Sequence, residues 1–221
     1  MRTIVYVDGF NLYYRMLEKR PDLKWLDLRQ LVQKVLRPEN TIVAIRYYTA
    51  RVSGRIDATA PARQQIYFDA LGTIPEVSMH MGSFLSSKKF AGLVHPPAFR
   101  PHLTAPLPLP WPAVVRVHKT EEKGSDVNLA SHLLLDGFRD SYDVAAVLSN
   151  DTDLVEPIRI ATQELGKVVG LLAPVTNPAP QLKAVASFVR HVKNSDLSGS
   201  QFADPLPLAD GQMLSKPASW A

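Results

Sequence analysis

The sequence predicts an α/β protein in which a central, mostly parallel sheet is covered by helices on both faces. Two observations carry that prediction. Apolar residues alternate between strand-like and helix-like periods along most of the chain, the pattern of repeated strand and helix units. Two of the strands, Ile4–Val7 and the middle of YDVAAVLSN (142–150), are continuously apolar, as strands buried on both faces of a parallel sheet must be.

The elements follow in order. Ile4, Val5, Tyr6 and Val7 form the first strand, and Gly9 breaks it, so Asp8 falls at its C-terminal tip. Helices are expected near 11–20 and 26–36, then a strand over 41–50 (TIVAIRYYTA). Pro61 suits a first helical turn and Gly72 a stop, which places a helix over 61–71. PEVSMHMGSF (75–84) reads as one strand and AVVRVHK (113–119) as another. SDVNLASHLLLDGF (125–138) has the period of an amphipathic helix; after the strand YDVAAVLSN come a helix over 153–165 and a strand over 167–173. Residues 95–112 hold seven of the eighteen prolines, which excludes helix and interior sheet and leaves an extended loop, read as a polyproline II connector rather than a ligand for a partner domain. Beyond about Ser195 the periodicity fades. A domain over 1–192 is therefore expected, followed by a tail over 193–221 that is either mobile or packed through Trp220.

Composition narrows the chemistry. A chain of 221 residues with 46% hydrophobic content can bury one substantial core. No stretch reaches the roughly 18 apolar residues of a membrane span, and Asp8 interrupts the first apolar run too early for a signal-peptide core, so a cytoplasmic protein without membrane association is expected. With no cysteine there is no disulfide, thiolate-bound metal or cysteine nucleophile, and the six histidines form no pair at helical spacing. The net charge of +4 is unevenly spread: Arg46 to Lys123 carries ten Lys/Arg against five acids, interleaved with Tyr47, Tyr48, Tyr67, Phe84, Phe90 and Trp111. A surface for single-stranded nucleic acid needs that mixture, although solvated basic residues around core aromatics would look the same.

Carboxylates recur at one edge. Asp8 ends the first strand, Asp151 and Asp153 follow YDVAAVLSN, and Asp126 begins a helix after Gly124 and Ser125. The C-terminal tips of parallel strands and the N-termini of the helices that cover them share an edge, where ligands of open α/β sheets bind. Each acid also has a plain reading as a helix cap or turn former, as has Asn11. Together they would repel one another unless a cation neutralised them. Oxygen donors without histidine or cysteine suit Mg²⁺ or Mn²⁺, and the chemistry such a site serves is phosphodiester hydrolysis.

The stretches VYVDGFNLYY, EEKGSDVNLASHLL and YDVAAVLSNDTDLVEPI, in that order, resemble the NYN domains, the PIN-like nuclease group that includes the LabA-like bacterial proteins. The resemblance spans roughly residues 1–192 and implies a PIN-like (Rossmannoid) three-layer α/β/α sandwich with an acidic, Mg²⁺-dependent ribonuclease site. It points to Asp8, Asp126 and Asp151 as metal ligands, to Asp153 as a supporting acid and to Asn11 as a residue that orients a water or phosphate oxygen. Ser149 is expected to donate a hydrogen bond to a carboxylate, and Lys119 and Lys123 to contact the RNA backbone. SND stands where many members have a glycine before the acid, and the proline-rich insertion and tail are less typical of the minimal domain.

The expected activity is metal-dependent cleavage of single-stranded RNA by in-line attack of water, leaving a 5′-phosphate and a 3′-hydroxyl. One alternative is an RNA-binding or regulatory module of the same fold that cuts slowly or not at all. Another is a Rossmann-type phosphatase or nucleotide-binding protein, which the DGFN loop disfavours because it lacks a glycine-rich phosphate cradle. Oligomeric state is open, a homodimer included.

Overall fold

The computed structural model describes residues 1–55, 57–99, 103 and 109–220. In chain order it runs β1 (Arg2–Asp8), α1 (Gly9–Leu12) continuing through a π-helical turn to Leu17, α2 (Leu28–Val35), β2 (Thr41–Thr49), α3 (Ala60–Leu71) and β3 (Val77–Met81). Then come β4 (Ser83–Gly92), β5 (Val114–Lys123), α4 (Ser125–Phe138), β6 (Val144–Leu148), α5 (Val155–Arg159), β7 (Val168–Ala173), α6 (Pro180–Val185) and β8 (Phe188–His191). A short helix, α7 (Asn194–Ser198), and a two-residue pairing of β9 (Leu206–Pro207) with β10 (Met213–Leu214) complete it.

β1 and β6 lie side by side at the centre of a six-stranded, wholly parallel sheet of order β3-β2-β1-β6-β7-β8. Successive strands run outward from β1 on one side and from β6 on the other. The crevice over the ends of these two strands is therefore a topological switch point, where such sheets bind ligands. Side chains of β1 alternate between two cores: Val5 and Val7 join the α2 and α3 residues Leu31, Val32 and Phe68, whereas Ile4 and Tyr6 join Leu129, Leu133 and Ile158 of α4 and α5. This is the expected three-layer α/β/α sandwich with a central parallel sheet.

Two strand expectations change. The run 75–84 is not one strand, because the sheet ladder ends at Met81 and the chain turns out at Gly82 into an antiparallel hairpin of β4 with β5. A side chain at Gly82 would place its Cβ 2.0 Å from Glu122 Oε1 and 2.9 Å from the Lys123 carbonyl, so only glycine allows the two hairpin bases to meet there. The strand read at 113–119 belongs to this hairpin rather than to the main sheet, and it continues to Lys123. Its ladder reaches as far as Gly92 opposite Val114, so the proline-rich segment forms the connection at the hairpin's far end. Of that segment, 100–102 and 104–108 lie outside the described residues; the rest contains neither helix nor strand.

The chain beyond Val192 folds back on the α2 side. Phe202 donates its N–H to the Trp25 carbonyl (2.9 Å), and its ring sits 5.5 Å from that of Trp25. Trp220 packs against Trp25 and Tyr67, with ring centroids 6.5 and 6.1 Å away. Of the two options for the tail, packing through Trp220 is the one observed.

Candidate metal centre

Asp8 reaches the switch point because β1 ends there. The residue is buried, 4% exposed, and its carboxylate is held by two hydrogen bonds. Oδ1 accepts the Asn11 N–H (2.9 Å), which caps the turn of α1, and Oδ2 accepts the Ser149 hydroxyl (2.8 Å). Gly9 lets the chain turn tightly after it, since a Cβ would meet the Tyr48 carbonyl at 2.7 Å and the Tyr47 ring at 2.8 Å. Burial raises the Asp8 pKa above the ordinary carboxyl range, and repulsion from Asp151 adds to this, while the hydrogen bonds from Asn11 and Ser149 pull against it.

Asp151 arrives at the end of the neighbouring strand, and the same serine ties the two acids together: the Asp151 N–H donates to Ser149 Oγ (3.0 Å). Asp151 in turn accepts the Asp153 N–H (3.0 Å), capping the 3₁₀ turn 152–154. Asn11 Oδ1 accepts the Asn150 N–H (3.1 Å), so the turns that follow β1 and β6 are cross-linked beside the acids. Asp126 comes from a third direction, in the first turn of α4. That helix is entered from the hairpin rather than from a strand of the sheet, with Gly124 at φ +102° making the turn. Burial, then repulsion from Asp8, Asp151, Glu122 and Asp153, pushes the Asp126 carboxyl up to about 6.

One oxygen each of Asp8, Asp126 and Asp151 lies within 4.8 Å of the other two. They line a cleft of about 490 Å³ together with Asn11 and Glu122. Asp153 is exposed beside the cluster, close enough to act on Asp126 electrostatically. Ser149 lies beneath it, fully buried. Lys119 and Lys123 do not line the cleft: both pair with Glu121 on one face of β5, whereas Thr120 and Glu122 project from the other face into it.

Glu122 is the functional candidate that sequence reasoning missed. Its two oxygens accept the N–H (3.1 Å) and hydroxyl (2.7 Å) of Ser125, so it braces the turn that delivers Asp126 while adding a fourth negative charge to the cleft. Its place in EEKGSD, four residues before Asp126, was the available signal. Phe10, Tyr14, Arg15 and Phe84 form the cleft's other wall, with Phe10 stacked against Tyr14 and edge-on to Phe84.

A donor set of carboxylates alone, gathered from three segments and left mutually repelling, fits a hard divalent cation such as Mg²⁺ or Mn²⁺. Among the described residues no histidine lines the cleft. His80 and His132 do meet, ring centroids 4.6 Å apart, but over Tyr48 and outside the residues that line the cleft.

The chain resembles known proteins in three comparisons. The chain is 26% identical over 249 aligned positions to 6-hydroxy-3-succinoylpyridine 3-monooxygenase HspA of Pseudomonas putida (strain DSM 28022 / S16), an alignment covering all of this chain and 75% of that protein. A protein of unknown function from Vibrio parahaemolyticus, known from its crystal structure, superposes with a TM-score of 0.49 at 15% identity over 87% of this chain and 93% of that one. The model of the NYN domain matches residues 2–192, a span that contains β1 to β8 and all three clustered aspartates. The chain belongs to the NYN domain family, within the PIN-like nuclease superfamily.

Proposed function

We propose that this protein is a metal-dependent ribonuclease that hydrolyses phosphodiester bonds of single-stranded RNA at the Asp8–Asp126–Asp151 cluster. The observation that carries this reading is the cluster itself: three carboxylates from three segments converge at the switch point of the sheet inside a cleft. When bound, Mg²⁺ or Mn²⁺ would supply Lewis acidity for in-line attack of water on phosphorus and neutralise the developing charge. Asp8, Asp126 and Asp151 would hold it. Ser149 fixes the Asp8 carboxylate and the Asp151 backbone in register, and the Asn11 side chain ties α1 to Asn150. Asp153 organises the turn that presents Asp151.

The walls suit a single strand. Phe10, Tyr14 and Phe84 offer ring surface beside the acids, and Arg15 a cation. The β4–β5 hairpin carries Lys88, Lys89, Arg116, Lys119 and Lys123, which would track phosphates further out; Lys119 and Lys123 enter in that peripheral role.

The name of the Pseudomonas relative supplies a second reading, oxygenation of a hydroxypyridine. One assay separates the two. End-labelled single-stranded RNA is incubated with the protein in Mg²⁺, Mn²⁺ or EDTA, beside Asp8→Asn and Asp151→Asn variants and beside 6-hydroxy-3-succinoylpyridine supplied with air and a nicotinamide reductant. Metal-dependent cleavage leaving 5′-phosphates, lost in both variants, is the expected result. RNA bound but uncut with either metal would instead favour a binding module, and consumption of the pyridine would favour the oxygenase.

A further inference from the structure

A second cavity, of about 420 Å³, adjoins the acidic cleft and shares Phe10 and Tyr14 with it. We propose that this cavity is a nucleobase pocket, which receives by stacking the base of a nucleotide whose phosphate lies at the acidic cluster. The proposal rests on the ribonuclease reading for its phosphate neighbour, and adds a substrate subsite to it.

Position is the first argument. Phe10 and Tyr14 lie on the helical run that begins at Gly9, immediately after Asp8, so the two hollows meet within one turn of a carboxylate of the cluster. Lining is the second. Aromatic rings come from Tyr13, Tyr47, Tyr67 and Trp220, brought from α1's continuation, β2, α3 and the end of the chain. Tyr67 spends its hydroxyl on the Leu26 carbonyl (2.9 Å), which leaves its ring for contact.

The polar groups are the third argument, because most are already committed. Gln64 satisfies the Ala50 carbonyl and the Val52 N–H, both at 2.9 Å. Arg63 pairs with Asp57 at 2.5 Å, and Lys24 sits against the Tyr13 ring and hydroxyl. A cavity with ring faces and few free hydrogen-bonding groups grips a planar heterocycle without reading its edge. It therefore accepts any base, and with Glu18 and Asp57 balancing Lys24 and Arg63 in its lining it holds the base by stacking rather than by charge. Trp220 completes one side, which gives the docked end of the chain a part in substrate binding.

The test compares a fluorescein-labelled hexauridylate with an abasic ribose-phosphate hexamer of equal charge, bound to the full chain in Ca²⁺, which neutralises the carboxylates without the strict octahedral geometry of Mg²⁺, with each oligomer checked on a gel to be uncut. Stacking on one ring is worth enough for about a tenfold affinity difference between the two oligomers. Trp220→Ala and Tyr13→Ala should each weaken the hexauridylate about tenfold and leave the abasic oligomer unchanged. Tyr13 is exposed, so its variant folds even if loss of Trp220 loosens the tail. Equal binding of both oligomers by the wild type, or equal weakening of both by the variants, overturns the proposal. Because binding is read apart from cleavage, a protein that passes this test but never cuts RNA in Mg²⁺ or Mn²⁺ retains the pocket and loses the ribonuclease reading. One that cuts RNA yet shows no base-dependent loss keeps the activity and loses the pocket.

Discussion

Replacing one of the clustered acids should make the metal-free protein more stable. Asp126 is the informative position, since burial first and the charges of Asp8, Asp151, Glu122 and Asp153 second push its carboxyl up to about 6. A folded-state pKa above the unfolded value means that the native protein holds the proton more tightly. Stability from this group is therefore full below about pH 4 and is lost as pH rises through about 6. The rise of about two pH units, at about 1.4 kcal/mol each, sets a ceiling near 3 kcal/mol, and partial exposure of Asp126 to solvent reduces it to about 1–2. Asp126→Asn removes that penalty but also a favourable charge in the first turn of α4, worth about 0.3–1 kcal/mol. The net gain is about 1 kcal/mol at pH 7.5, or about 2–4 °C in Tm for a chain of this size. The assay is thermal unfolding by circular dichroism between pH 4 and 8, in EDTA and in Mn²⁺. In EDTA the variant should melt above the wild type at pH 7.5 and converge with it near pH 4. In Mn²⁺ at a hundred times its dissociation constant the wild type should gain about 2.7 kcal/mol and the variant far less. A variant that melts lower at pH 7.5 in EDTA, or that gains as much from Mn²⁺, refutes the account of mutual repulsion relieved by a cation.

Other substitutions report on the supports. Asp8→Asn and Asp151→Asn should each lower RNA cleavage by about 10³-fold, read from initial rates with labelled RNA, because each removes a donor that the attack on phosphorus would depend on. Ser149→Ala breaks two hydrogen bonds beneath the cluster and leaves a buried carboxylate short of a donor, so a loss of about 1–3 kcal/mol in urea unfolding is expected together with slower cleavage. Gly82→Ala should displace the hairpin base and slow cleavage while the Tm of the sheet domain changes little, since the collision is with Glu122 and the Lys123 carbonyl rather than with the core. RNA affinity should fall linearly on a log–log plot against salt concentration, as release of phosphate counterions requires.

What the sequence made legible was whatever a single segment decides. β1 and β6 announce themselves by uninterrupted apolar runs, and their terminal aspartates follow directly from where those runs stop. A parallel sheet then puts Asp8 and Asp151 on one edge, and the adjacency of β1 and β6 that brings them together is seen only in the structure. What stayed hidden depends on contacts between distant segments. Gly82 looks like any small residue in 75–84, and only the meeting with Glu122 explains why the strand ends at Met81. The direction of Glu122 into the cleft, and of Lys119 and Lys123 away from it, follows from the phase of a hairpin that the periodicity of 113–119 alone cannot assign to a sheet. The pairing of His80 with His132 belongs to the same class, a tertiary contact with no local signal, as do the rings of Trp25 and Tyr67 that Trp220 meets, although Trp220 itself stood out in the tail.

The central claim is that Asp8, Asp126 and Asp151 act as one cation site. Titration of Mn²⁺ followed by the electron paramagnetic resonance of the free ion, on the wild type and on Asp8→Asn, Asp126→Asn and Asp151→Asn, tests it most directly. Saturable binding by the wild type and at least tenfold weaker binding in each variant are expected. Undiminished binding in any two of the three variants would contradict it.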